Sequence, residues 1–154
     1  MNADLERWRS PISVQLAGML LPLTWLLAAC AAAPKPMSQV SAGLGCVDDS
    51  LGCRNKRQAA LNVLMADKSR AWVRQPPTAA AYASGVRLFA FLKRKRELSC
   101  AELGIGQREA KAARPTLRAA SAHLTPAQIA RGAMLGDEVH TVLARERRRR
   151  KCKA

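Results

Sequence analysis

The sequence predicts an all-α protein: a small bundle of about four short helices, supported by disulfides, after a signal peptide and a flexible linker. Residues 46–154 are dominated by Ala, Leu, Arg, Lys, Gln and Glu, and they contain no run of β-branched or aromatic residues. Two stretches carry complete helix-start patterns. This part of the chain also holds four cysteines, an even set that is typical of a disulfide framework in an exported protein.

Residues 1–29 have the features of an export signal. The run "LAGMLLPLTWLLAA", Leu16 to Ala29, contains no charged residue. It is shorter than the roughly 20 apolar residues that a spanning helix needs, and it fits the apolar region of about 7–15 residues in a signal peptide. Pro22 lies within it and would cost a regular helix about 3 kcal/mol. The run therefore favours a signal peptide over a permanent membrane span.

The end of this run is more specific. Leu27-Ala28-Ala29-Cys30 resembles the lipobox of bacterial lipoproteins, in which Leu and two small residues precede a cysteine. The resemblance covers the first 30 residues and implies a diacylglyceryl thioether on Cys30, with cleavage before it. It implies a location in the bacterial cell envelope, lipid-anchored and facing the periplasm. Ala31 in place of Asp favours the outer over the inner membrane, by analogy with enteric lipoproteins. The alternative is a plain secretory signal with an incidental cysteine.

The segment after Cys30 is expected to be a tether. Residues 31–45, "AAAPKPMSQVSAGLG", contain Pro, Ser and Gly and show no periodic apolar face. A flexible segment of this length reaches about 20 Å on average. The sequence thus predicts three parts: a lipoprotein signal peptide at 1–29, the lipidated cysteine with its tether at 30–45, and a small basic helical domain at 46–154.

Two helices are expected in the first half of the domain. The first covers "DDSLGCRNKRQAALNVLMAD", with capping oxygens from Asp48, Asp49 and Ser50. The prolines of "RQPPT" interrupt the chain, and Thr78 is placed to cap a second helix, "AAAYASGVRLFAFLKRKREL". The stretch "VRLFAF", from Val86 to Phe91, also alternates in hydrophobicity, so a strand is the alternative there.

Two further helices have clear starts. Ser99 and Glu102 match the capping-box pattern, and Pro115 is expected to break or end the helix that they begin. Thr125 and Gln128 form a second capping box, with Pro126 at the first helical position. We expect the last helix to run from there toward the basic tail.

Four cysteines allow three pairings, and two bridges are favoured. Cys46 and Cys53 are neighbours that close a short loop, whereas Cys100–Cys152 would tie the end of the chain back to the domain. The loop-entropy model gives about 2.5 kcal/mol for the short bridge and about 4 kcal/mol for the long one. The alternative, zinc held by four thiolates, is disfavoured because the spacings differ from those of zinc sites.

The formal net charge is +15, and two clusters of basic residues stand out. One is Lys93-Arg94-Lys95-Arg96, and the other, at 145–153, contains Arg147, Arg148, Arg149, Arg150 and Lys151. Such clusters favour contact with anionic lipid, lipopolysaccharide or an acidic envelope protein. The alternative is that they are solvated helix ends whose cations complement the helix dipole. Nucleic acid is not expected as a partner, because the chain is exported and offers few aromatics for base stacking.

Evidence for catalysis is weak. Asp137 lies one helical turn from His140, which could make a general base with its orienting carboxylate, but no nucleophile stands at a motif spacing. A surface pair is the simpler interpretation. The sequence predicts no catalytic residue, no metal site and no cofactor. The favoured function is a non-enzymatic interaction or structural role in the envelope. The alternative is an envelope enzyme, or its accessory, that acts on cell-wall polymer.

Overall fold

The computed structural model describes residues 36–153, and all regular structure in this range is helical. The predicted all-α class is confirmed. There are six α-helices in the described range, joined by short connections, and a 3₁₀ turn at Ala71–Arg74 follows the second. The helices are α1 (Pro36–Leu44), α2 (Leu51–Ala66), α3 (Ala79–Ser84), α4 (Val86–Arg94), α5 (Cys100–Ala119) and α6 (Pro126–Arg149).

Four helix starts, those of α2, α3, α5 and α6, are the ones that the sequence predicts. The side chains of Ser50 and Thr78 each accept a hydrogen bond from the amide three residues further on. Both capping boxes, which begin at Ser99 and Thr125, are complete. Each cap satisfies amides that have no partner within their helix.

The first helix lies where a flexible tether was expected. Residues 36–44 form α1, which packs against α2 and buries Val40. A Cβ atom on Gly43 would overlap the side chain of Ala60, so the two helices are in close contact there. The tether prediction is therefore wrong for 36–44, because the small residues that suggested flexibility permit close helix packing instead. Residues 1–35, with the predicted signal peptide and Cys30, lie outside the described residues.

The predicted second helix is two helices that meet at Gly85. Gly85 has a φ of 73°, a left-handed conformation that costs glycine little, and its amide donates to the carbonyl of Tyr82. The chain then starts again as α4. Val86–Phe91 belongs to α4, so the strand alternative for this stretch is wrong.

Pro115 does not end α5, although the sequence favoured a break there. The helix continues to Ala119, with Pro115 on its exposed side. On the other side Ala113 and Leu117 are completely buried. Burial of these side chains before and after the proline offsets the roughly 3 kcal/mol that an internal proline costs.

Small residues bring α5 and α6 together as an antiparallel pair. A Cβ on Gly136 would lie 2.9 Å from the carbonyl oxygen of Ala110, and one on Gly132 would lie 2.8 Å from the side chain of Leu117. The Gly132-x-x-x-Gly136 pattern thus serves helix packing. The aromatic part of the core is small and consists mainly of Trp72 packed edge-on against Phe91, with ring centroids 4.8 Å apart.

An ion pair that the sequence did not indicate lies within this core. Arg87 of α4 and Glu109 of α5 are only 2% and 7% exposed. Arg87 also donates to the carbonyls of Trp72 at 2.7 Å and Gln75 at 2.8 Å. One guanidinium therefore joins α4, α5 and the 3₁₀ turn.

Candidate functional site: the basic end of the bundle

Both predicted disulfides are present. Cys46 pairs with Cys53 and Cys100 with Cys152, at Cα–Cα distances of 5.3 and 5.5 Å. The second bridge connects the first residue of α5 to the segment after α6. It therefore holds the basic tail beside the turn that carries the other basic cluster.

The two basic clusters meet at one end of the bundle. Arg150 of the second cluster donates from Nη1 to the carbonyl of Leu98, which follows the first cluster. Residues of both clusters lower the pKa of Glu146. The main cause is the hydrogen bond from Arg149, and the charges of Arg150 and Arg96 contribute. We call residues 93–96 and 145–153 together the basic end.

The carboxylates around the basic end are already paired. Glu97 accepts from Arg94 at 2.7 Å, and Glu146 accepts from Arg149 at 2.6 Å. Glu102, at the start of α5, accepts from Arg70 at 3.0 Å. Four other cations make no ion pair among residues 36–153. Lys93, Arg96, Arg148 and Lys151 are exposed and make no side-chain ion pair or hydrogen bond there.

Arg94 does not belong to the exposed surface, which corrects its prediction as a residue for anionic-surface binding. It is 5% exposed, and its guanidinium donates to the carbonyls of Leu64 and Asp67. It therefore satisfies carbonyls at the end of α2, where α-helices leave such groups unpaired. Arg94 is therefore neither available to a surface ligand nor a solvated helix end.

Four other predicted residues, two exposed and two half-buried, make contacts within the fold. Arg149 holds Glu146, Arg150 reaches Leu98, and Arg147 donates to the amide oxygen of Gln107 at 2.8 Å. Lys95 donates to the carbonyl of Leu92.

The described chain begins at the same end. Met37 and Val40 of α1 share the lining of a cavity of about 510 Å³ with Leu64 and Asp67, the residues whose carbonyls accept from Arg94. The first turn of α1 thus lies next to the residues that bind Arg94 of the basic end. The described part of the chain therefore starts beside the basic end.

Acidic groups mark the opposite end. Asp49, in the loop between α1 and α2, accepts two hydrogen bonds from Arg131 near the start of α6. The hydrogen bond from Arg131 is the main cause of a lowered pKa at Asp49. Arg57 and Arg131 also donate to backbone carbonyls of this loop. Arg57 and Arg131 are therefore tied to the loop, unlike the exposed cations of the basic end that make no ion pair.

The residues considered for catalysis do not converge. Asp137 pairs with Arg114 of α5, and the His140 ring nitrogen instead faces the side-chain amide of Gln107 at 3.4 Å. Glu102 is committed to the capping box and Arg70. Within residues 36–153 no three His, Cys, Asp or Glu side chains are grouped as a metal site would need. No helix in that range has the length and hydropathy to span a membrane.

Comparison with protein-family models, with curated proteins and with solved structures finds no match for this chain. The site must therefore be interpreted from its own geometry. Arg108 is not among the predicted residues, because it stands alone in the sequence and only the pairing of α5 with α6 places it beside Arg147.

Proposed function

We propose that the chain is a bacterial envelope lipoprotein whose helical domain docks through its basic end on the anionic surface of the membrane that anchors it. The lipobox at Leu27–Cys30 supports the anchor. The joined clusters, with exposed cations that make no ion pair among the described residues, support the docking surface. The role is binding or structural, and the interaction partner is the phosphate layer of the bilayer.

The observation that carries this proposal is the position of the chain entry. The first turn of α1 lies next to the residues that bind Arg94, beside the basic end, and only the short segment from Cys30 separates Pro36 from the proposed lipid. An extended segment of that length spans at most about 20–25 Å. A lipid on Cys30 would therefore hold the basic end, rather than the opposite end, close to the headgroups.

The expected electrostatic attraction to the membrane is weak for each residue, and a lipid anchor would make it sufficient. A basic residue near an anionic bilayer contributes about 1 kcal/mol, within roughly one Debye length. The anchor raises the effective concentration of headgroups at the basic end, so that a few such contacts suffice. Lipopolysaccharide or an acidic envelope protein could offer the same charge, but neither would require the chain to enter at this end. No observation in residues 36–153 favours the alternative of an enzyme acting on cell-wall polymer.

The anchor can be tested by labelling in a bacterial host with a palmitate analogue. The unchanged chain should incorporate the label, and Cys30→Ser should lose both the label and signal-peptide processing. Label that persists on the Cys30→Ser chain would contradict the assignment. The docking part is tested by the preference of the Cys30→Ser chain for anionic over neutral vesicles, which salt should weaken.

A further inference from the structure

A cavity of about 430 Å³ lies at the basic end, over the first turns of α5. Three of its lining residues are cationic, and no carboxylate of residues 36–153 lines it. The cations are Arg108 of α5, Arg147 of α6 and Lys153 after the disulfide. Gly104, Cys100, Ala101 and Ile105 form the rest of its lining.

Two guanidinium groups converge on Gly104. A Cβ on this glycine would lie 3.5 Å from Nη1 of Arg108 and 3.9 Å from Cζ of Arg147. Both groups are thus within 4 Å of one point on the cavity floor. Like charges this close repel each other, and the repulsion persists unless an anion lies between them.

Neither guanidinium is neutralised within the described residues. Arg108 makes no ion pair or side-chain hydrogen bond there. Arg147 has only neutral partners, the amide oxygen of Gln107 at 2.8 Å and the carbonyl of Lys153 at 3.4 Å, while its buried Nε has no acceptor. These contacts fix the position of Arg147 but leave its charge uncompensated. The Cys100–Cys152 bridge holds Lys153 at the same opening.

We propose that this cavity binds a dianionic phosphate monoester, whose source, on the basis of the proposed function, is a headgroup of the anchoring membrane. A monoester presents three strong acceptor oxygens and a charge near −2, which matches two guanidiniums and one ammonium. Arginine is suited to phosphate because its planar fork donates two parallel hydrogen bonds. A phosphodiester has one charge and fewer terminal oxygens, and it satisfies the site less well.

The first test titrates the full chain in a non-ionic detergent with inorganic phosphate, using calorimetry. Saturable binding is expected in the unchanged chain. Arg108→Gln should raise Kd at least about tenfold, because it removes a charged hydrogen-bond donor. Gly104→Asp should abolish binding and raise Tm in phosphate-free buffer, because its carboxylate takes the place of the anion.

Gly52→Asp is the matched control. Gly52 is exposed, a Cβ there would meet nothing within 4 Å, and the charge change is the same. This variant should keep the phosphate affinity of the unchanged chain. Absence of saturable phosphate binding, or equal binding by Gly104→Asp and Gly52→Asp, would overturn the proposal.

A second test separates the headgroup from free phosphate. Vesicles of equal surface charge are prepared with phosphatidic acid, a monoester, or phosphatidylglycerol, a diester. We expect the Cys30→Ser chain to prefer the monoester vesicles at least about fivefold, and Arg108→Gln to remove that preference. Equal binding to the two kinds of anionic vesicle would contradict the phosphate-monoester site but would be consistent with docking through the basic end. Phosphate binding without any vesicle binding would support the pocket but refute the membrane as its source.

Discussion

Arg87 and Glu109 form a two-pronged ion pair inside the bundle, with Nε to Oε1 at 2.8 Å and Nη2 to Oε2 at 2.6 Å. The same guanidinium lies 5.8 Å from the ring centroid of Trp72. The pKa of the nearby Tyr82 is raised to about 12, mainly by burial and further by the charge of Glu109. This part of the positive charge of the chain is therefore committed to holding three elements together.

The pair predicts a strongly non-additive mutant cycle. Arg87→Met should lower the free energy of unfolding by about 3–5 kcal/mol, because it leaves the buried Glu109 without a counter-ion. Adding Glu109→Leu should recover part of this loss, although the carbonyls of Trp72 and Gln75 stay unpaired. Urea unfolding of the single and double variants measures the cycle. Costs that simply add would contradict the interpretation.

Two glycines in α5 should respond oppositely to alanine. A Cβ on Gly106 would lie 2.6 Å from ring carbons of Phe91 and 2.9 Å from Leu143, so Gly106→Ala should cost about 1–3 kcal/mol through overpacking. Gly104 has room for a methyl group, so Gly104→Ala should stabilise by up to about 1 kcal/mol through helix propensity. Thermal unfolding of both variants checks the difference, and the same sign for both would refute this account of α5 packing.

The start of α5 should make the fold sensitive to acid. Burial acts to raise the pKa of Glu102, but hydrogen bonds from the Ser99 amide and from Arg70 outweigh it and lower the pKa below its ordinary 4.5. A carboxyl whose pKa is lower in the folded state stabilises the fold above its unfolded pKa, and this contribution disappears as pH falls through the folded value. Stability from Glu102 should therefore be complete at neutral pH and decline below pH 4.5.

Glu102→Gln isolates this effect. Glutamine can still complete the capping box but cannot ionise, so the variant should lose less stability than the unchanged chain between neutral pH and about pH 3. Glu138→Gln is the control, since Glu138 is exposed and makes no ion pair or hydrogen bond in residues 36–153. Urea unfolding at both pH values gives the comparison. Parallel pH profiles for Glu102→Gln and the unchanged chain would rule out Glu102 as a source of acid sensitivity.

Local features of this fold could be predicted, because the sequence signal and its cause lie within a few residues. The capping boxes at Ser99 and Thr125 depend only on side chains three positions apart. The cysteine pairing followed from an even count and from chain separation, and it was confirmed. Gly85, by contrast, could not be distinguished in the sequence from a glycine inside a continuous helix. Only its left-handed φ shows that two helices meet there.

The role of each arginine could not be predicted, because it depends on distant backbone. Arg94 lies in a basic run, yet its partners Leu64 and Asp67 are about thirty residues earlier in the chain. Arg108 gave no sequence signal, since the groups that surround it come from α6 and the tail. Composition gives the total charge, whereas tertiary packing decides which cations are left for a ligand.

The proposed function depends on the binding of an anionic membrane by the exposed cations of the basic end. Its most direct test compares two variants of the Cys30→Ser chain from which the same number of charges is removed. The first replaces basic-end cations with Gln: Lys93, Arg96, Arg148 and Lys151. The second replaces exposed cations elsewhere, also without ion pairs in residues 36–153: Arg54, Lys56, Lys111 and Arg118.

The measured quantity is the difference in binding free energy between anionic and neutral vesicles, which cancels any contribution from the apolar N-terminal run. At low salt the basic-end variant should lose about 4 kcal/mol of this difference, at roughly 1 kcal/mol per basic residue, and the control variant should keep most of it. The preference of the unchanged chain should fade toward 1 M salt, where the Debye length is about 3 Å. Equal losses in the two variants, or no anionic preference in the unchanged chain, would contradict docking through the basic end.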